Sequence, residues 1–467
     1  MTWWAIDYMA AIYSILVQCR NLSGPNIKAE NWLDVKVAEF ESSYETSLDI
    51  PCRDDGSDFT IDGLYPDQQF IMYKVLLAIR EFLYCDDPST FVPLRCTING
   101  PAGTGKTVLI QTIVATMRKI FQRNDVIKVV APTGTAACNV GGETLHHMGG
   151  VPVSNREYAR NSMTTKRKDR LLRNFRHLLC LVIDERSLVT SALLGTTDQI
   201  MRETMFGDGQ LGNEPFGGLP VLILVGDDYQ LSGTYEGGIQ SILNRTTKGP
   251  MTTQGRAAFK LCAETVFNLT VNRRVSDEKQ ADKDLMNRVR IGDNIPDDDI
   301  DRLMQLRLDH VAKEHGMDYV QSIRDRAMYL FFKNDKRIRH NLEMVSQKSS
   351  ADNPVAFIPT RSTGGRYGKG IRSHFNDTDI PATSILFRGA KVCLEGRNIC
   401  PLWGLHNGAH GIVHEIVFDK GKNPNKGDMP TFVVVEFPMY TGPAWDLDNP
   451  KVSYHRWLLM KWLRYHP

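Results

Sequence analysis

From Leu64 onward the chain alternates between segments with apolar side chains at helical spacing and short apolar runs closed by turn residues. QQFIMYKVLLAIREFLY (68–84) predicts an amphipathic helix, LRCTING reads as a strand running into a turn, and VLIQTIV begins another helix. IKVVA (127–131), LCLVIDE (179–185) and PVLILVG (220–226) are apolar at consecutive positions rather than at alternate ones. Such runs fit strands buried on both faces, as in a parallel sheet covered by helices, so the predicted class is α/β. DNIPDDDIDRLMQLR (293–307) sets Pro296 and several carboxylates at a helix start, where the dipole favours them, and MYLFFKN (328–334) predicts a strand followed by a helix. Near Ile385 the texture shifts: ILFRGAKVCLE, HGIVHEIVF and TFVVVEFP predict a small barrel or antiparallel sheet.

These shifts divide the chain into an N-terminal segment (1–58), a first lobe (59–266), a second block (267–384) and a β-rich end (385–467). The opening MTWWAIDYMAAIYSILVQCR has no basic residue before Arg20 and carries Asp7, in a stretch shorter than a bilayer span. It reads as a buried or partner-facing helix rather than a signal or anchor.

Composition narrows the class only slightly. The 467 residues are 42% hydrophobic and 24% charged, ordinary for a globular protein of several domains. With 56 basic and 54 acidic residues the net charge is +2, so any acidic partner must be met by a local patch. One such patch is RNSMTTKRKDRLLRNFRH (160–177), with seven Lys or Arg against one Asp; it nominates Lys166, Arg167, Lys168 and Arg170 as phosphate contacts for a nucleic acid. The nine cysteines are scattered without a CxxC pair, which disfavours a disulfide framework or zinc ribbon and points to a reducing, intracellular compartment.

The chemistry concentrates where strands end. GPAGTGKT (100–107) satisfies G-x-x-x-x-G-K-[ST] between a strand and a helix, the context that the motif requires. Gly100, Gly103 and Gly105 let the backbone curl its N–H groups around phosphate oxygens; Lys106 is suited to the β- and γ-phosphates of ATP, and Thr107 to Mg²⁺. LCLVIDE ends in Asp184, suited to the outer shell of Mg²⁺, and Glu185, suited to polarising an attacking water. PVLILVGDDYQL repeats the device and nominates Gln230 as a sensor of the γ-phosphate. His406, His410 and His414 recur every four residues, but Gly404, Gly408 and Gly411 interrupt any helix that would make them a metal face.

APTGTAA (131–137), GETLHH (142–147), DERS (184–187), GDDYQL (226–231) and LTVNRR (269–274) resemble, in order and spacing, the motifs of superfamily 1 DNA helicases, specifically the Pif group and its RecD relatives. The resemblance spans about Leu64 to Phe437. It implies a P-loop NTPase of two RecA-like lobes with a small β-barrel-like insertion, ATP and Mg²⁺ in the cleft, and 5′-to-3′ movement on single-stranded or forked DNA. It also implies that Gln68 reads adenine, and that Thr133, Gly134, Thr144 and His146 line the DNA track. Arg274 would reach from the second lobe to the γ-phosphate, and Asn407, Gly408 and Gly411 would form the family's NGxxG turn. Implied roles are DNA repair, recombination and telomere maintenance, in the nucleus or mitochondrion of a eukaryote, by a monomer.

The sequence ends at KWLRYHP without the HKxQG-type and YVALSR-type motifs that follow in the family, the second of which carries another arginine finger. The second lobe is therefore expected to be partial, the protein being truncated at its C-terminal end relative to the family. Two readings result: an ATP-dependent helicase, or a non-catalytic protein that binds ATP and single-stranded DNA.

Overall fold

The structure, a computed structural model, describes residues 48–86, 90–151, 165–205, 214–230, 249–275, 279–350, 352–359, 383–394, 399–400, 403–406, 408–418, 430, 432–442 and 457–460. The chain divides into two compact units, one of residues 47–327 and one that includes residues 328–467. The opening apolar segment lies outside the described residues. Among the described residues no helix is long and apolar enough to cross a membrane.

The larger unit is built on a six-stranded parallel sheet, with β1 (Leu94–Asn99), β2 (Ile127–Ala131), β3 (Glu143–Thr144), β4 (Cys180–Ile183), β5 (Val221–Gly226) and β6 (Val266–Asn268) in the order β3-β2-β4-β5-β1-β6. The uninterrupted apolar runs are explained by the two cores on either side of it. Along β5, Val221, Ile223 and Val225 face one core while Leu222 and Leu224 face the other. The same division separates Val182 from Leu181 and Ile183 on β4. Successive side chains of a strand point to opposite faces, so a strand covered on both sides has no position to give to a polar residue.

Helices α1 (Pro66–Leu83) and α2 (Lys106–Phe121) supply the first core with Ile71, Val75, Leu109 and Ile113. Short helices α3 (Gly134–Asn139) and α4 (Leu145–Gly149) follow β2 and β3. Helix α5 (Thr165–Phe175) turns Leu171 and Phe175 into the second core, joined there by α6 (Ser191–Met205) and α7 (Pro250–Ala263). A methyl group built on Gly195 of α6 would stand 1.9 Å from the Met251 carbonyl oxygen, and one on Gly255 of α7 would stand 1.8 Å from that of Ser191. The two backbones meet with no room for a side chain between them.

Beyond β6 come α8 (Gln280–Ile291), α9 (Asp297–Gln305), α10 (Leu308–His315) and α11 (Met317–Arg326). Asp297, Asp298 and Asp299 occupy the first turn of α9, as expected from the sequence, but Asp299 does more than cap: it is buried and accepts from Arg288 of α8 at 2.5 Å and from Arg302 at 3.2 Å. The boundary expected at residue 267 falls inside β6, which pairs in parallel with β1 through Ile98 and Phe267. The first lobe therefore continues past that point, and the block 267–384 adds helices rather than strands of a second parallel sheet among the described residues.

In the smaller unit α12 (Asn334–Lys348) precedes an antiparallel pair, β7 (Ala356–Pro359) with β8 (Thr383–Leu386). A four-stranded antiparallel sheet follows, with β9 (Lys391–Cys393), β10 (His410–Val417), β11 (Phe432–Glu436) and β12 (Trp457–Met460) in the order β12-β11-β10-β9. Trp403 and Tyr440 meet edge to face over its core, which includes Leu405, Val413, Val435 and Phe437. The β-rich texture near Ile385 is thus realised. The strand expected in MYLFFKN is not: residues 328–333 form none, and Leu330 and Phe332 are fully exposed. An apolar run becomes a strand only where a neighbour supplies its ladder, and none does here among the described residues. His410 and His414 lie on β10, so their spacing builds no helical face.

Gly195→Ala or Gly255→Ala is expected to lower stability by about 2 kcal/mol or more, because the helices must separate to admit a methyl group. An unchanged urea midpoint in both variants would refute the tight crossing.

Candidate nucleotide and DNA site

Because all six strands run in parallel, the loops after their carboxyl ends gather along one edge of the sheet, where open α/β sheets bind ligands. The P-loop leaves β1, which lies between β5 and β6. Gly103 and Gly105 hold φ of +85° and +84°, left-handed values at which a side chain is strained, and Gly105 caps α2. The Gly100 N–H donates to the Gly226 carbonyl at 3.1 Å, which ties the base of the loop to the end of β5. The Lys106 ammonium donates to the carbonyls of Gly100 at 2.7 Å and Pro101 at 3.0 Å. Burial lowers its pKa, against the pull of Asp227, Asp184 and Glu185. Thr107 is exposed on the first turn of α2.

Asp184 and Glu185 leave β4, two strands away. Asp184 is buried, and burial first, then the Glu185 charge, pushes its pKa up to about 6, opposed by the Glu185 N–H and Lys106. It remains largely ionised at neutral pH with little to neutralise it, an environment that suits a cation beside it. Glu185 holds φ of +50°, which presents it at the head of the next turn.

Between these two loops sits the turn after β5. Asp227 is 2% exposed; its Oδ1 accepts from the Tyr229 N–H at 3.1 Å and its carbonyl from the Gln230 N–H at 3.2 Å. Arg290 of α8 grips its carboxylate, with Nη2 on Oδ1 at 2.8 Å and Nε on Oδ2 at 3.1 Å, and lies over the Tyr229 ring at 4.4 Å. Burial would raise the Asp227 pKa, but these hydrogen bonds and charges bring it below the ordinary carboxylate range. Gln230 is exposed at the end of this turn. Buried Arg186, next to Glu185, pairs with Asp228 at 2.5 Å and donates to Asn99 Oδ1 at 3.3 Å.

The other two loops open on the same edge. Exposed Thr133 caps α3, accepting from the Ala136 N–H at 3.2 Å, with Gly134 buried behind it. Buried Thr144 caps α4 through the His147 N–H, and His146 is half-buried, which lowers its pKa. Glu143 anchors this second turn, accepting from Lys128 at 3.0 Å and pairing with His147 at 2.7 Å. Of the basic patch, Lys168 is exposed on α5, whereas the side chains of Lys166, Arg167 and Arg170 lie outside the described residues, as does Asn407.

Two placements differ from expectation. Gln68 is 1% exposed, with Oε1 accepting from the Tyr65 N–H at 3.1 Å and Nε2 donating to the Thr104 and Gly105 carbonyls at 3.3 Å. In this structure it braces the P-loop from behind. Arg274 belongs to the same unit as the P-loop rather than to a second lobe. The segment after β6 runs beside that loop, with the Leu269 N–H on the Asn99 carbonyl and the Arg273 N–H on the Gly103 carbonyl, both at 2.8 Å. Arg274 itself is exposed, and its Cβ lies 2.9 Å from where a methyl group on Gly103 would stand.

Sequence reasoning gave no role to Asp227, Arg186 or Arg290. The first two adjoin residues already singled out, whereas Arg290 has no local signal, its partner being 63 positions away.

The sheet, the glycine-bent phosphate loop and the carboxylates beside it define a P-loop nucleotide-binding lobe of the RecA type. Residues 88–296 match the profile of the PIF1-like helicase family. Over 194 residues the chain is 31% identical to the ATP-dependent DNA helicase RRM3 of Saccharomyces cerevisiae, a match covering 42% of this chain and 25% of that protein. Over 199 residues it is 32% identical to the ATP-dependent DNA helicase PIF1 of Saccharomyces cerevisiae, covering 43% and 21%. The match thus spans a quarter or less of these curated relatives. In fold, the crystal structure of Pif1 helicase from Candida albicans is similar with a TM-score of 0.54 at 21% identity, over 85% of this chain and 78% of that one.

Glu143 yields a pH prediction. Burial opposes its ionisation, but Lys128 and His147 outweigh this and hold its pKa at about 2, below the ordinary 4.5. A depressed carboxylate stabilises the fold above its unfolded pKa and loses that contribution as pH falls toward the folded one. Glu143→Gln is therefore expected to cost about 1–2 kcal/mol at pH 7, after allowance for solvent screening, and progressively less between pH 4.5 and 2. Urea midpoints measured across this range check it; a pH-independent difference would contradict the ion-pair assignment.

Proposed function

We propose that this chain is the ATP-binding core of an ATP-dependent DNA helicase that moves 5′ to 3′ on single-stranded or forked DNA. The observation that carries this reading is the shared sheet edge: Lys106, Glu185 and Gln230 occupy loops after the central strands β1, β4 and β5, with the Thr133 and Thr144 turns farther along. A strand of DNA crossing those turns would lie within reach of changes at the γ-phosphate. The helicase names of the relatives support the same reading.

In this reading the P-loop amides and Lys106 bind the phosphates; the ammonium would leave the Gly100 and Pro101 carbonyls for the β- and γ-oxygens. Thr107 and under-compensated Asp184 fit Mg²⁺, which takes few protein ligands beside phosphate oxygens and would supply charge neutralisation there. Glu185 orients water, Gln230 contacts the γ-phosphate, and Arg274, beside Gly103, adds positive charge as it develops. Thr133, Gly134, Thr144, His146 and the α5 basic residues contact DNA, mainly through phosphates, so affinity should fall with salt. Roles in repair, recombination and telomere maintenance, and a nuclear or mitochondrial setting, extend from the resemblance. The monomer expected from the sequence is not supported: one structure with this fold is described as two coordinating Pif1 helicases at forked double-stranded DNA.

Mg·ATP hydrolysis, with and without single-stranded DNA, tests the reading. The expected result is DNA-stimulated turnover that falls by about 100-fold or more in Lys106→Ala. ATP binding without Lys106-dependent turnover would overturn hydrolysis and favour a non-catalytic ATP- and DNA-binding protein.

A further inference from the structure

The turn carrying Gln230 is held by two arginines from outside it, Arg186 on Asp228 and Arg290 on Asp227. Gln230 is exposed, and its backbone N–H closes on the carbonyl of Asp227. The Asp227 side chain fixes Tyr229 from the other side, and Arg290 in turn takes both carboxylate oxygens of Asp227. A planar guanidinium meeting a carboxylate through two N–H groups fixes distance and orientation together, which a point charge does not. The Tyr229 ring under the guanidinium completes the lock.

Helix α8 links this lock to a second part of the site. It follows the segment that lies against the P-loop and carries Arg274, and its last turn brings Arg290 back to the turn after β5. At its other end Asp282 bonds to Arg302, while Arg288 is fixed by Asp299, so α8 and α9 are cross-linked by ion pairs. The helix that carries Arg290 is thus itself held in place near both ends.

Resting on the hydrolysis reading above, we propose that Arg290 is a positioning residue for turnover: through the Asp227 carboxylate it sets Gln230 at the γ-phosphate. Arg290 contacts no nucleotide in this scheme. Its loss should therefore lower kcat while leaving nucleotide affinity nearly unchanged, and Lys should restore little because it lacks the fork.

The experiment compares the full-length protein with Arg290→Ala, Arg290→Lys, Gln230→Ala and the double variant Arg290→Ala/Gln230→Ala. Steady-state ATP hydrolysis, binding of a fluorescent ATP analogue and thermal melting are measured for each. A tenfold or larger loss of kcat in Arg290→Ala, with affinity changed less than threefold and a double variant no slower than Gln230→Ala, would support the proposal. A double variant whose loss equals the product of the single losses would overturn it, since Arg290 would then act independently of Gln230. If Arg290→Ala fails to fold, Arg290→Gln/Asp227→Asn removes the buried charge together with its partner and must show the same loss of kcat at unchanged affinity. Wild-type turnover that survives every Arg290 substitution sinks this inference alone, whereas absence of Lys106-dependent turnover in the wild type sinks the hydrolysis reading as well.

Discussion

The pairing of β1 with β5, in register from Leu94 with Val221 to Asn99 with Gly226, is the contact on which the site depends. It brings two strands distant in sequence to a common end, and the Gly100 N–H on the Gly226 carbonyl carries that alignment one step beyond the sheet. The glycine-rich loop and the turn that ends in Gln230 are thereby held side by side by backbone geometry. The apolar side chains that bury both strands make this register costly to change, since a one-residue slip would exchange the populations of the two cores.

Charge is arranged differently. The sheet interior admits almost none, so ionic groups collect just past the strand ends, where Lys106, Asp184, Arg186 and Asp227 are partly or wholly buried. Arg186 with Asp228 and Arg290 with Asp227 are close pairs that orient a turn from two sides. Asp184 is left less compensated, which shows in its raised pKa. Asp227 and Asp228 are thus set apart from Asp184 by the arginines that hold them.

Much of the larger unit was legible in sequence because its signals are local. Continuous apolar runs marked β2, β4 and β5, and the strand-loop-helix context of GPAGTGKT marked the site's centre. What escaped depends on contacts across long stretches of chain. The block after residue 266 read as a new lobe, yet β6 adds to the edge of the first sheet, because three residues carry no period by which a strand can be assigned. The buried hydrogen bonds of Gln68 to the P-loop carbonyls follow from a helix folding back over a loop 36 residues later. MYLFFKN shows the opposite failure, strong local preference without a partner strand among the described residues.

The order β3-β2-β4-β5-β1-β6 also governs how the lobe is made. β1 is among the first strands of the sheet to leave the ribosome, but both its neighbours come much later, β5 ending at Gly226 and β6 at Asn268. At a synthesis rate of roughly 5–20 residues per second, β1 and the glycine-rich loop attached to it wait on the order of ten seconds or more for their seats. During that interval β2 and β4 lack β5, the strand that will join them to β1. The glycine-rich loop is therefore among the last parts of the lobe to acquire its neighbours.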